Sequence, residues 1–207
     1  MNRNPPSEGF KRFSRGSQAV AYRSGDRVES IVMSDQDGSI DACKDILIDS
    51  RKICDTDMKK YLPDISRKRI DNDLTYEFVY EMPFYHTLQV DSKYTGNILA
   101  DMLLNDLCDF NRISPLNSKQ TTFTEILHFL RNNTWKHYQG DQEEVNIAIA
   151  ALSQIFEVAR SYNPSTLIPD IKPFNLAIDD SGNLIFLDPI LALIPVKQLI
   201  ETWEKQT

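Results

Sequence analysis

The hydrophobic period of this chain changes near residue 85, and that change limits the folds open to it. Between Gly9 and Val32, Phe10, Phe13, Val20, Ala21, Tyr22 and Val28 suit short strands, with Gly16 and Ser24-Gly25-Asp26 as turns. This predicts a hairpin and a third strand. Ser39 to Ile53 reads as a helix, with Ile40, Cys43, Ile46, Leu47 and Ser50 near one face. Ile65 to Ile70 and Leu74 to Tyr80 read as two more strands around the turn-prone Asp71-Asn72-Asp73. Glu81 to Tyr85 closes this half as a linker.

After the linker the spacing becomes helical. Asn97 to Phe110 carries Leu99, Met102, Leu103, Leu107 and Phe110 on one face. Thr122 with Glu125 forms a capping-box pattern for a helix through Trp135. Asp141 with Glu144 offers a similar start for Gln142 to Ser161, whose stripe is Val145, Ala148, Leu152, Ile155, Phe156 and Ala159. Beyond Pro164, Asn175 to Ile178 and Leu184 to Leu187 are short strands flanking Asp179-Asp180-Ser181-Gly182-Asn183, a hairpin signal. A last helix is expected from Pro195 to Lys205. The resulting fold class is α+β. Residues 1–8 are expected to be a flexible tail, 9–85 a five-stranded unit with one helix, and 86–207 a mainly helical unit.

Composition removes several alternatives. Hydrophobic residues make up 41% of the 207, enough for a core, so disorder is not the default. The net charge of −7 and a pI near 5.0 argue against a nucleic-acid partner, which selects for a basic surplus. The longest apolar run, Leu184 to Val196, is broken by Asp188, Pro189 and Pro195, and no run has the length of a membrane span. Cys43, Cys54 and Cys108 form neither a CxxC pair nor a zinc pattern and read as reduced thiols in a cytoplasm.

The chemistry-bearing stretch is Ile168-Pro169-Asp170-Ile171-Lys172-Pro173-Phe174-Asn175, continued by Leu187-Asp188-Pro189. A carboxylate is followed by a lysine two residues on and an amide five residues on. A second carboxylate lies thirteen residues past the amide, across the hairpin. No single element of this pattern is specific; the joint match of four residues, three spacings and a hairpin is.

That order resembles the catalytic loop and metal-binding motif of protein kinases. The resemblance implies a compact two-lobed kinase-like fold acting with ATP and Mg2+. Phosphoryl transfer asks the protein mainly for positioning and charge neutralisation. By resemblance, Asp170 orients the attacking hydroxyl and accepts its proton, Lys172 steadies the transferring phosphate, and Asn175 and Asp188 supply hard oxygen ligands to magnesium. Phe13 to Tyr22 is similar to a degenerate phosphate-covering loop, with Gly16, Ser17 and Gln18 as its nucleotide contacts. Glu81 and Phe84 fall in the hinge-like linker.

The sequence departs from the family where a lysine is expected on the third strand, Arg27 to Met33. Ser30 stands there instead, and the helix from Ser39 to Ile53 carries no glutamate. Arg23, Arg27 and Lys44 are the cations that could reach the phosphates from elsewhere. Only 19 residues follow Asp188, too few for a full activation segment and substrate helices. This compact form resembles small bacteriophage-encoded serine/threonine kinase-like proteins, which implies a protein substrate or target in a host cytoplasm. Two alternatives stay open: a pseudokinase that binds and inhibits a host or defence factor, and a small-molecule phosphotransferase of the kinase-like antibiotic-modifying kind. Nothing in the sequence fixes an oligomeric state.

Overall fold

A computed structural model describes residues 7–15, 19–32, 39–71, 76–88, 95–108, 122–162 and 167–192. Its first part is a five-stranded antiparallel sheet in the order β1-β2-β3-β5-β4. The strands are β1 (Lys11–Arg15), β2 (Ala19–Ser24), β3 (Arg27–Val32), β4 (Ser66–Asp71) and β5 (Tyr76–Pro83). β2 and β3 turn at Gly25, whose φ of 56° suits a residue without a Cβ. β5 runs three residues further than the sequence suggested, so Glu81, Met82 and Pro83 belong to a strand and not to a linker. The reason is register: Glu81 sits opposite Glu29, Met82 opposite Val28 and Pro83 opposite Arg27, so β3 holds β5 to its end.

Alternation gives the sheet two distinct faces. Tyr22, Ile31 and Val79 are buried together on the outer one. On the inner one, Tyr80 and Met82 join the main core with Cys43, Ile46 and Leu47 of α1 (Ser39–Ile53). α1 matches its expected bounds, and Ser50 is buried on its core face, its hydroxyl donating to the Ile46 carbonyl at 2.6 Å. Beyond it, Arg51 Nη1 donates to the carbonyls of Lys59 and Leu62 at 2.9 and 3.0 Å. Those bonds fasten α1 to α2 (Thr56–Lys59), a single turn capped by Asp55 that has too few residues to leave a periodic signal.

The rest is helical until residue 162. α3 (Ile98–Cys108), α4 (Phe123–Phe129) and α5 (Gln142–Tyr162) surround a core containing Leu99, Leu103, Ile126, Leu152, Ile155 and Phe156. The Thr122–Glu125 capping box is formed in both directions. The expected straight run to Trp135 is not. After Phe129 the helix widens to a π-helix over Leu130–Thr134, closed by Trp135 N–H donating to the Leu130 carbonyl at 2.9 Å. The wider turn buries Leu130, Thr134 and Trp135 together, and the indole N–H donates to the Leu99 carbonyl at 3.0 Å. The second expected box differs too. Asp141 Oδ1 accepts from Glu143 N–H at 2.9 Å, whereas the Glu144 carboxylate accepts from the Tyr138 hydroxyl. The full stripe expected on α5 is buried.

The end of the described chain returns to strands: β6 (His86–Thr87), β7 (Leu167–Pro169), β8 (Leu176–Ile178), β9 (Leu184–Phe186) and β10 (Ile190–Ala192). β6-β8-β9 make one small sheet, and β10-β7 another. The expected helix 195–205 and residues 1–6 of the expected tail lie outside the described residues. The fold class is α+β, as the sequence implied. Among the described residues no helix is long and apolar enough to cross a membrane.

Phe156 is fully buried and stacks on Phe123 at 4.5 Å between ring centroids. Phe156→Ala is expected to cost about 3–5 kcal/mol, read as a lowered urea midpoint at unchanged slope.

Candidate active site

Asp170 and Asp188 are brought together by strand pairing. β7 ends at Pro169 and β10 begins at Ile190, and these two residues face each other in an antiparallel ladder. The ladder is continued by Asp170 N–H donating to the Pro189 carbonyl at 2.8 Å. A second bond, Asp188 N–H to the Asn175 carbonyl at 3.0 Å, ties the same short segment to the turn after Asp170. That turn is a 3-10 helix, Pro173–Asn175, begun by a proline that needs no amide hydrogen there.

Between these ties lies the β8-β9 hairpin. Asp179 Oδ1 accepts from Ser181 and Asn183 N–H at 2.9 and 2.8 Å, and Gly182 takes φ of 82°. Asn97 at the start of α3 donates through Nδ2 to the Gly182 carbonyl at 3.1 Å, anchoring the hairpin to the helical part.

The side chains follow from that backbone. Asn175 Nδ2 donates to both the Asp170 carbonyl and Asp170 Oδ2, each at 2.8 Å. Lys172 Nζ lies 2.6 Å from Asp170 Oδ1. The Asp170 carboxylate is buried and has both oxygens engaged. Because the Asn175 nitrogen is spent on Asp170, its amide oxygen is the end left to face a cation. Asp188 receives Lys44 Nζ of α1 at 3.2 Å from Oδ2, and that lysine side chain is only 12% exposed. One residue on, Asp45 is pushed above the usual carboxylate range by burial, against the lowering effects of Arg67 and the Tyr80 hydroxyl.

Among the described residues no three His, Cys, Asp or Glu side chains converge as a self-sufficient metal site. Asp188 and Asn175 offer one carboxylate and one amide oxygen, hard donors of the kind that could hold a magnesium ion whose other ligands are not protein side chains.

The remaining expected site residues divide. Gly16, Ser17 and Gln18 lie outside the described residues. Ser30 is buried on the inner face opposite Tyr80, and its hydroxyl has no hydrogen-bond partner. The Glu81 side chain does not join it. Alternation puts Glu81 on the outer face, where it pairs with Arg27 and lies 3.9 Å from Lys68. Phe84 donates its N–H to the Asp26 carbonyl at 2.6 Å, and its ring lies 3.4 Å from the Arg23 guanidinium carbon and 5.0 Å from the His86 ring. So of the three substitute cations, Arg23 and Arg27 are committed elsewhere, and Lys44 is the one at Asp188. Sequence alone left these three equal. The available clue was that Lys44 follows Cys43 on the buried stripe and so borders the core.

No protein-family model matches the chain, and no curated protein matches it. Among solved structures, the bifunctional kinase-methyltransferase WbdD is similar over 90% of this chain at 10% identity and a TM-score of 0.29. The match covers 33% of that protein, so the chain spans about a third of its length. At that score the site's own geometry carries the reading.

Asn175→Leu removes both bonds to Asp170 and leaves buried acceptors unmet. It is expected to lower stability by about 1–3 kcal/mol in urea unfolding, whereas Phe174→Ser, at a side chain 66% exposed, stays within about 0.5 kcal/mol.

Proposed function

We propose that this chain has a kinase-like fold and is a phosphotransferase, moving the terminal phosphoryl group of a magnesium-bound nucleotide, ATP, to a hydroxyl. The observation that carries the reading is the closed set Asp170–Lys172–Asn175 zipped by backbone to Asp188. It is joined by a five-stranded antiparallel sheet and a helix, α1, that reaches from the sheet to Asp188.

In this reading Asp170 accepts the proton of the attacking hydroxyl. Asn175 and Lys172 hold its carboxylate in one orientation, so that a lone pair meets the incoming hydroxyl without a rotamer search. Lys172 also offers its ammonium to negative charge developing on the transferred group. Asn175 Oδ1 and Asp188 would hold magnesium, which supplies charge neutralisation across the phosphates. The acceptor is a serine or threonine hydroxyl of a host protein, in the host cytoplasm. That choice rests on the resemblance of the Asp188-Pro189 pair after the hairpin to phage-encoded kinase-like proteins.

A second reading, a kinase-shaped module that binds and blocks a target, draws on Ser30. A buried hydroxyl stands where a strand lysine is expected. The two readings part in one set of measurements. The enzyme reading expects labelled phosphate from ATP on the chain itself or on lysate proteins, with Asp170→Ala reducing the rate about 10²-fold or more. It also expects about 2.7 kcal/mol of stabilisation from Mg-ADP at a hundred times its Kd. Transfer by Asp170→Ala at the parent rate sinks it, and no thermal shift with any Mg-nucleotide selects the binding module.

A further inference from the structure

We infer that Lys44, on helix α1, is the mobile cation of this site: it neutralises Asp188 before nucleotide binds and passes to the nucleotide phosphates when Mg-nucleotide binds. The inference rests on the phosphotransferase reading and adds a positioning residue to it.

Lys44 meets the demands of the role. Its ammonium is already 3.2 Å from Asp188 Oδ2. Its stem is largely buried while Asp188 is 39% exposed, so the charge is directed to the accessible side of the site and not to bulk solvent. Burial also makes the ammonium dependent on a counter-charge. If a divalent cation takes Asp188, Lys44 loses its partner at the moment that phosphate oxygens arrive. Transfer of the ammonium to phosphate is then the arrangement that leaves no charge unmet.

The other cations are excluded by their own contacts. Arg27 pairs with Glu81 on the outer face of the sheet. Arg23 lies over Phe84 and donates through Nε to the Gly25 carbonyl at 2.8 Å. Lys172 sits at Asp170, where it already serves the transferred group, and is not the cation at Asp188. On β3, Ser30 offers only a neutral hydroxyl. Among the described residues, Lys44 is the basic side chain paired with Asp188. The charge that the third strand lacks is thus supplied from the neighbouring helix.

The test is binding without turnover. Lys44→Met should weaken Mg-ADP binding about tenfold or more by calorimetry. Adenosine, which has no phosphates, should bind as it does to the parent. Lys44→Arg should recover most of the loss. With no nucleotide present, Lys44→Met should bind Mn2+ more tightly than the parent, since nothing then competes for Asp188. A structural role for the lysine predicts neither the adenosine–ADP difference nor the tighter Mn2+ binding. Lys44→Gln, which keeps a polar head on a shortened stem, serves in the same measurements if the methionine variant melts early. Parent-like Mg-ADP affinity in Lys44→Met or Lys44→Gln overturns the assignment while leaving the phosphotransferase reading intact. A parent protein that binds no nucleotide overturns both.

Discussion

Two backbone hydrogen bonds, Asp170 N–H to Pro189 and Asp188 N–H to Asn175, hold the candidate site in one place. They connect a turn and a hairpin exit that are adjacent in space only because β7 and β10 pair antiparallel. Each bond contributes about 1 kcal/mol net, so neither dominates stability. What they fix is geometry. A carboxylate, an ammonium, an amide and a second carboxylate are delivered from two short segments without any long flexible loop between them. The hairpin that separates the segments in sequence is itself held by Asp179 and by Asn97 from α3, so a shift of either end moves against the helical core.

The electrostatics follow the same economy. Two carboxylates near each other in a half-buried site repel and desolvate poorly. Here each has its own ammonium: Lys172 on Asp170, from the same loop, and Lys44 on Asp188, from α1. The second pairing has a wider structural meaning. α1 contributes Cys43, Ile46 and Leu47 to the core that also takes Tyr80 and Met82 from the sheet. Tyr80 additionally donates its hydroxyl to Asp45 at 3.2 Å. Lys44 therefore projects from a helix packed on the sheet onto a carboxylate borne by the hairpin exit, and the sheet and the hairpin are electrostatically joined through one residue.

How far the sequence disclosed this depends on what each feature needed. α1 and α5 were legible because long amphipathic stripes repeat often enough to define a face. The β8-β9 hairpin was legible because Asp, Ser, Gly and Asn have local reasons to turn. β7 and β10 were not, since three-residue strands made of Leu, Ile and Pro, or Ile, Leu and Ala, carry no period and exist only through each other. The π-helix was hidden for a related reason: widening by one residue is chosen by what Trp135 packs against, not by Leu130 to Thr134 themselves. Asp170, Lys172 and Asn175 converge as their spacing implied, because a 3-10 turn folds five residues back on the first. Glu81 went astray because a linker has no faces, whereas the strand it belongs to has two.

The departure at Ser30 then has a physical consequence beyond a missing charge. A lysine on β3 would place its stem among Tyr80, Met82 and α1, and would need an acidic partner on that helix. Helix α1 instead carries the cation, and the partner lies across on the hairpin exit. Ser30 fits this arrangement because its small neutral side chain can be buried without a counter-charge, which a long cationic one could not. A charge moved from a strand to a helix also changes what controls it. A strand lysine is fixed by the ladder on both sides, while Lys44 rides on a helix whose hold on the sheet is side-chain packing and the Asp45–Tyr80 and Asp45–Arg67 contacts. Small shifts of α1 against β10, which it packs on and which begins two residues after Asp188, therefore act directly on the distance between Lys44 and Asp188, and the packing of one helix becomes part of the site's electrostatics.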